Sequence, residues 1–235
     1  SGTVLKLNMT EAAEHVRLMN RITAKTIGIR PAARCTTVKP AGTTSLVLGT
    51  SSGIHAWHNK YYVRRLRVGK NESIYNYLSI NHPELLEDDY FRPHDTAVIS
   101  IPQKAPKGSI TRKESPMNLL DRVKRVAKEW VKPGHKSGSN SHNVSATISV
   151  KQNEWDEVGE WMWKNKDYYN GLSVLPYDGG TYIQAPFEDI TKKEYEDKMK
   201  RLHEIDLSKV IELEDKTDLS SELACAGGVC EITSL

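Results

Sequence analysis

The chain is poor in cysteine and phenylalanine and contains no long apolar run. Its 235 residues include three cysteines and two phenylalanines. So few cysteines, and an odd number of them, argue against a secreted disulfide scaffold and indicate a reducing, cytoplasmic compartment. No stretch approaches the roughly 18 apolar residues of a membrane-spanning helix. The first residues also lack the basic and apolar regions of a secretory signal, so neither membrane insertion nor secretion is expected.

The charge is unevenly distributed along the chain. Hydrophobic residues make up 38% and charged residues 27% of the sequence, as in soluble globular proteins. From Asp206 to the end the net charge is −5, which leaves +8 on residues 1–205. This mildly basic part suits a phosphorylated ligand, but the charge is too small to indicate nucleic-acid binding. Because Ser1 is not preceded by methionine, we also expect a processed product or the downstream piece of a longer protein.

Strand patterns alternate with helix patterns over residues 1–205, which predicts an α/β fold, with a flexible acidic tail over residues 206–235. The clearest helix begins with Ser115 as N-cap and Pro116 as its first residue. Thr191 and Glu194 form a capping box that opens a helix to about Ile205. Further helices are predicted at about 10–25 and 153–166, and strands at 35–39, 61–68, 96–101, 143–150, 172–175 and 181–184.

A turn with phosphate-binding chemistry follows the first predicted strand. It consists of Pro40, Ala41, Gly42, Thr43, Thr44 and Ser45. A helix that opens after a glycine presents unpaired backbone N–H groups and a partial positive charge, and both features hold phosphate oxygens. The segment is not a Walker loop, however, and an ordinary threonine or serine N-cap explains the same residues. Taken by itself, the spacing favours the ordinary cap.

Cys225 and Cys230 form the second candidate site. The four residues between them include Gly227 and Gly228, so the chain is flexible enough to bring the two sulfurs to bonding distance. Zinc sites usually need a second such pair or histidines, and the spacing is not that of a thioredoxin motif. A dithiol that is oxidised and reduced by exchange is the favoured interpretation, with two incidental cysteines as the alternative.

Two weaker patterns are expected to be structural. His55 and His58 are close enough in sequence to share a metal ion, but no acidic residue lies near them, so packing is favoured and no metal site is predicted. Arg64, Arg65 and Arg67 occupy both faces of a predicted strand. Salt bridges within a sheet therefore explain them better than nucleic-acid binding does.

Several segments keep the order of one known family. They are Thr36-Thr-Val-Lys-Pro-Ala-Gly-Thr-Thr-Ser45, Gly49-Thr-Ser-Ser-Gly-Ile-His55, Tyr61-Tyr-Val-Arg-Arg65, Asn143-Val-Ser-Ala-Thr-Ile-Ser-Val150, Asn170-Gly-Leu-Ser-Val-Leu-Pro-Tyr-Asp-Gly-Gly180 and the final cysteine pair. Together they resemble adenosylcobalamin-dependent (class II) ribonucleotide reductases, and most closely the monomeric type that acts on triphosphates. The resemblance covers nearly the whole chain.

The resemblance implies a fold and a set of roles. The fold of the family is a ten-stranded α/β barrel with a central finger loop, and this chain corresponds to its C-terminal part. Residues 40–45 match the loop that holds the phosphates of the ribonucleotide substrate. Cys225 and Cys230 match the shuttle dithiol, which reduces the active-site disulfide after each turnover and is re-reduced by a thioredoxin-like partner. Adenosylcobalamin would be the cofactor of the complete enzyme.

One departure from the family pattern limits what this chain is expected to do. The radical cysteine of the family lies in an Asn-x-Cys-x-Glu pattern, which does not occur here, and Cys35 matches no functional cysteine. We therefore expect a C-terminal fragment or split subunit that is inactive without an upstream reductase chain carrying the radical cysteine. The alternatives are a non-catalytic module that binds nucleotide phosphates and a small dithiol oxidoreductase.

Overall fold

The computed structural model describes residues 8–138, 140–177 and 182–212. The chain divides into two compact units, each built from two segments. Unit 1 comprises Ser1–Trp57 and Gly108–Tyr177, and unit 2 comprises His58–Lys107 and Asp178–Leu235. The predicted tail begins at residue 206 and lies almost wholly outside the described residues, so that boundary stays a prediction.

Helices and strands alternate in the described part of the chain. The helices are α1 (Met9–Thr26), α2 (Thr43–Val47), α3 (Ser73–Asn81), α4 (Pro116–Val126), α5 (Trp155–Lys164) and α6 (Lys192–Arg201). The strands are β1 (Tyr61–Gly69), β2 (Leu86–Asp88), β3 (Thr96–Lys104), β4 (Thr147–Val150), β5 (Ser173–Pro176) and β6 (Phe187–Asp189). No helix of the described residues has the length and apolar character needed to cross a membrane.

The helix-capping predictions are confirmed. The Ser115 hydroxyl accepts a hydrogen bond from the Asn118 N–H at the start of α4, and Pro116 is the first helical residue. Thr191 and Glu194 form the reciprocal capping box of α6. The predicted cap of α1 was two residues too late, because Asn8 accepts from the Glu11 N–H. A capping side chain needs only its own helix, which is why local sequence predicts it well.

Unit 1 is organised around a parallel pair of strands. β4 and β5 pair in register from Thr147 opposite Ser173 to Val150 opposite Pro176. The predicted strand at 35–39 does not join this pair as a full strand; it contacts the chain that leads into β4 through an isolated parallel bridge between Val38 and Val144. Helices α4 and α5 contribute to one apolar core: Leu119, Leu120, Val123, Val126, Ala127, Val131, Val144, Ala146, Ile148, Val150, Val158 and Trp161.

Unit 2 contains a four-stranded antiparallel sheet in the order β2-β3-β1-β6. β1 and β3 pair along their whole length, from Tyr61 opposite Lys104 to Gly69 opposite Thr96. The apolar core against this sheet is small: Val68, Leu78, Leu85, Ala97 and Ile99. The sequence patterns predicted neither α3 nor β2.

The strand predicted at 181–184 is wrong over its described residues. Gln184 has a φ of 55°, which no strand residue adopts, and the sixth strand lies at Phe187–Asp189. The Gln184 side chain explains this conformation because it accepts from the Tyr90 N–H and donates to the Asp88 carbonyl oxygen, each at 2.8 Å. Helix α6 also ends at Arg201, earlier than predicted.

Candidate functional site

The candidate phosphate loop, residues 40–45, follows the segment that pairs with the chain leading into β4. Val38 forms a parallel bridge with Val144, and its carbonyl oxygen accepts from the Ser145 N–H at 3.0 Å. Lys39, Pro40 and Gly42 are exposed. The loop thus connects a parallel segment to the start of α2, with part of its backbone open to solvent.

The loop opens a short helix without a side-chain cap. Gly42 is the N-cap residue of α2 and has no side chain that could accept from the first turn. The first N–H groups of a helix have no partner within the helix. The threonines and the serine stand inside α2 rather than before it, so the ordinary N-cap considered above is not what the structure contains.

Ser45 differs from its neighbours in the loop. Its side chain is buried, and its hydroxyl lies against the carbonyl oxygens of Ala41 and, at 2.9 Å, Gly42. A hydroxyl has one proton to donate, so this group closes the turn rather than donating to a ligand. Thr44, in contrast, is exposed. Of the loop residues predicted from sequence, Ser45 is thus the one that fits a structural role best.

The chain after α2 folds back onto the start of the loop. Gly53 has a φ of 58°, and a Cβ at this position would lie 3.1 Å from the Lys39 carbonyl oxygen. Glycine tolerates both the positive φ and the close approach. The Ile54 carbonyl oxygen accepts from Arg122, whose guanidinium also pairs with both carboxylate oxygens of Glu114 at 3.1 and 2.7 Å. These contacts hold the backbone next to the candidate site.

The two histidines considered as metal ligands both have structural partners. Nε2 of His55 accepts from the Thr147 N–H at 2.9 Å, so Nδ1 carries the proton and donates to the Ser52 carbonyl oxygen. His58 lies in unit 2, where its Nε2 is 3.0 Å from Asp189 and its ring stacks on Phe187. Within the described ranges, no group of three metal-ligating side chains occurs.

The predicted salt bridges of the arginine-rich strand are confirmed for two of its arginines. Arg65 pairs with Glu87 at 3.2 Å and with Glu188, and Arg67 pairs with Asp89 at 2.8 Å. Burial raises the pKa of Asp89, but hydrogen bonds from the Arg92 N–H, the Arg67 side chain and the Phe91 N–H outweigh it and hold the pKa below its usual 3.8. These arginines stabilise the sheet of unit 2.

The second candidate site, Cys225 and Cys230, lies outside the described residues. Cys35 is described: it is a free, half-buried thiol whose sulfur lies 3.8 Å from the Ala32 carbonyl oxygen. Among the described residues, Cys35 belongs to no group of three metal-ligating side chains.

The curated relatives of this chain carry a single description. No family model matches the sequence. Adenosylcobalamin-dependent ribonucleoside-triphosphate reductase of Lactobacillus helveticus is 28% identical, over 88% of this chain and 27% of the relative. The enzyme of Lactobacillus leichmannii is 29% identical, over 89% of this chain and 28% of the relative. The Euglena gracilis enzyme is 28% identical, over 86% of this chain and 27% of the relative.

A solved structure confirms the fold. The crystal structure of a B12-dependent (class II) ribonucleotide reductase matches 82% of this chain with a TM-score of 0.66 and 24% identity. The match covers 26% of that reductase chain. The mixed helices and strands described above thus correspond to part of the reductase fold, as the predicted partial α/β barrel requires. This chain spans about a quarter of the length of the curated relatives, and those homologues are adenosylcobalamin-dependent ribonucleoside-triphosphate reductases, which confirms the family resemblance seen in the sequence.

Proposed function

We propose that this chain is the part of an adenosylcobalamin-dependent ribonucleotide reductase that supplies the substrate-phosphate loop and the shuttle dithiol. The complete enzyme would convert a ribonucleotide to a 2′-deoxyribonucleotide by a radical mechanism, with an upstream chain contributing the radical cysteine. The observation that carries the proposal is the uncapped start of α2 at the carboxyl end of a parallel segment, in a chain similar to these reductases over most of its length.

The loop has the chemistry to hold phosphate oxygens. The first-turn N–H groups of α2 are free of side-chain caps, and the partial positive charge of a helix start favours an anion. Exposed Lys39 adds a full positive charge, and exposed Thr44 adds a hydroxyl donor. Pro40, Ala41 and Gly42 shape the approach to these groups. Ser45 would act indirectly by holding the turn closed.

The proposed role of Cys225 and Cys230 is thiol–disulfide exchange. Reduction of an active-site disulfide by this pair transfers two electrons and two protons, breaks that S–S bond and forms one between Cys225 and Cys230. A thioredoxin-like dithiol then reverses the change in the pair and is itself oxidised. The dithiol is thereby available for the next turnover.

Two cavities of unit 1 are each too small for the whole cofactor. They have volumes of about 490 and 670 Å³. Neither can enclose a corrin ring together with its nucleotide and adenosyl arms. Homolysis of the cobalt–carbon bond is the chemistry that adenosylcobalamin supplies when bound. In the proposed assembly the remaining part of the enzyme would provide most of the binding site.

Apolar side chains on the surface of unit 1 support the need for an upstream chain. Leu18, Met19 and Ile22 of α1 are 43%, 45% and 50% exposed, and Ile27 and Ile29 after the helix are 61% and 60% exposed. Grouped exposed apolar residues mark a surface that another polypeptide covers. The relatives are roughly four times as long as the matched segment, so the rest of the barrel is the natural occupant.

Reconstitution tests the proposal directly. The purified chain is assayed for deoxyribonucleotide formation with adenosylcobalamin and dithiothreitol, with and without the upstream part of a related reductase. We expect activity only in the mixture, because the radical cysteine comes from the upstream part. Product formation by this chain alone would contradict the proposal. Failure to co-purify with the upstream part would instead favour a nucleotide-binding module or a small dithiol oxidoreductase.

Two sets of variants of the reassembled enzyme test the individual sites. Thr43→Ala with Thr44→Ala should raise KM at least about tenfold, since a hydrogen bond to a charged group is worth about 1.5–3 kcal/mol. Thr50→Ala, at the other end of α2, is the matched control.

Cys225→Ser with Cys230→Ser should abolish thioredoxin-driven turnover while dithiothreitol restores it. Unchanged kinetics of the double threonine variant would show that the loop does not bind the substrate phosphates. Full thioredoxin-driven activity of the double cysteine variant would show that the pair is not the shuttle dithiol.

A further inference from the structure

Unit 1 contains a polar cavity that is separate from the candidate phosphate loop. It has a volume of about 490 Å³ and lies between the chain after α4 and the chain that leads into β5. Its lining residues come from 127–142 and 166–170, and none of them belongs to residues 40–45. Residues 141–142 and 166–170 precede β4 and β5, so the cavity lies towards the amino ends of these strands.

The rim of this cavity carries two lysines that face aromatic rings. The ammonium group of Lys132 is 4.4 Å from the ring centroid of Tyr168, and that of Lys166 is 4.8 Å from the ring of Trp163. Both lysines line the cavity, and Asp167 is the carboxylate that lines it with them. Contacts with ring faces leave the positive charges un-neutralised. The cavity is therefore net positive.

Two histidines also line this cavity. Nδ1 of His142 lies 3.1 Å from the Thr36 carbonyl oxygen and must donate to it, which leaves Nε2 for another partner. Both ring nitrogens of His135 are shielded from solvent and have no hydrogen-bond partner among the residues that the structure describes. His142 is therefore the histidine that can meet a ligand in the cavity.

The backbone next to the cavity is irregular in a way that is common at functional sites. Helix α4 continues into a π-helical turn at Ala127–Val131, where the Lys132 N–H donates to the Ala127 carbonyl oxygen at 2.9 Å. An isolated bridge between Arg34 and His135 then fixes the chain after this turn. The wide turn thus directs both Lys132 and His135 to the cavity wall.

We propose that this cavity binds a phosphorylated small molecule, with the phosphate held by Lys132 and Lys166 and a hydroxyl of the organic part placed against Nε2 of His142. Two ammonium groups without a carboxylate partner among the described residues select a compact anion of more than one negative charge. The volume is within the range of small-molecule sites and exceeds what one phosphate group fills, so the cavity also receives an organic part. This site is separate from the proposed substrate-phosphate loop and does not depend on reductase activity.

Calorimetric titration of the full chain with ribose 5-phosphate tests this proposal. Lys132→Gln with Lys166→Gln should weaken binding about tenfold or more, because two ammonium–phosphate contacts are lost. Lys128→Gln with Lys164→Gln removes the same charge from exposed positions outside the cavity and should leave binding nearly unchanged. Asp167→Asn should tighten binding, since it removes the lining carboxylate.

Further titrations distinguish binding in this cavity from binding at the loop of residues 40–45. Thr44→Ala should not alter the titration, whereas a loss of binding in this variant would place the ligand at the loop and overturn the proposal. Inorganic phosphate should bind more weakly than ribose 5-phosphate. Equal affinity would contradict the claim that the cavity also contacts the organic part of the ligand. Equal weakening by the two double lysine variants, or absence of binding to the parent chain, would refute the cavity as a phosphate site.

Discussion

The two units of this protein are stabilised by different means. Unit 1 buries a dozen side chains, from Leu119 to Trp161, around parallel strands, and it contains residues 40–45 and the lysine-lined cavity. Unit 2 has five residues in its buried cluster and an antiparallel sheet crossed by ion pairs of Arg65, Arg67 and Lys70. The unit with the larger apolar core contains both candidate phosphate sites, while the charges of unit 2 hold its own sheet together.

This difference explains why a basic strand in unit 2 is not a binding surface. Arg65 is paired with Glu188 of the adjacent β6 and with Glu87 of β2, and Arg67 is paired with Asp89, which follows β2. In unit 1, Lys132 and Lys166 lie over rings and keep their charge available. A cation marks a ligand site only when the fold leaves it without a carboxylate.

The largest effect is expected in the core of unit 1. Leu120 is fully buried, so Leu120→Ala should lower the free energy of unfolding by about 2–5 kcal/mol through lost burial and a cavity. Tryptophan fluorescence during urea denaturation measures this, since all five tryptophans belong to unit 1: Trp57, Trp130, Trp155, Trp161 and Trp163. Leu18→Ala, at a 43% exposed position, is the control and should change stability little.

The next effect tests the ion pairs of unit 2. Asp89 is 2% exposed and accepts from Arg67 and two backbone N–H groups, so Asp89→Asn should destabilise unit 2 by about 2 kcal/mol. Hydrogen exchange of the β1 and β3 amides is the measurement, because unit 2 contains no tryptophan. Asp88→Asn, at a side chain 68% exposed, should leave exchange nearly unchanged. Equal effects at both positions would show that burial does not set the strength of these pairs.

Lowering the pH should remove the stabilisation that the Asp89 carboxylate gives to unit 2. Because the pKa of Asp89 is lowered in the folded chain, its stabilisation is complete above the usual value of 3.8 and is lost as the pH falls through the lowered value. The protection factors of the β1 and β3 amides, which correct for the pH dependence of intrinsic exchange, should therefore fall below about pH 4. Asp89→Asn should flatten this dependence. A variant that keeps the full acid dependence would assign it to other groups.

The smallest loss of stability is expected from removing a helix N-cap, and it should be similar in both units. Ser115→Ala in unit 1 and Thr191→Ala in unit 2 each remove an N-cap hydrogen bond, at a cost of about 1 kcal/mol. Ser115→Gly is the control for the first, since glycine at an N-cap costs only a few tenths of a kcal/mol. Urea denaturation followed by fluorescence for α4 and hydrogen exchange for α6 gives the two values. A much larger loss in one unit would show that its cap carries tertiary contacts.

Local signals in the sequence predicted the elements whose causes are local. The starts of two helices could be predicted because a capping side chain bonds to the first turn of its own helix. These are the start of α4 at Ser115 and Pro116 and the start of α6 at Thr191 and Glu194. The strand at 181–184 failed because Gln184 is held by Asp88 and Tyr90, residues far away in the chain. No periodicity of a short segment carries that information.

The linear sequence was enough to indicate the resemblance to these reductases, the α/β class, the main helix starts and the chemical character of residues 40–45. How individual side chains are used became clear from the folded chain. It engaged Ser45 and His55 in backbone hydrogen bonds and left the α2 start uncapped. It also gathered Lys132 and Lys166 around one cavity. Such roles depend on which distant groups pack beside a residue, and a linear pattern does not record those neighbours.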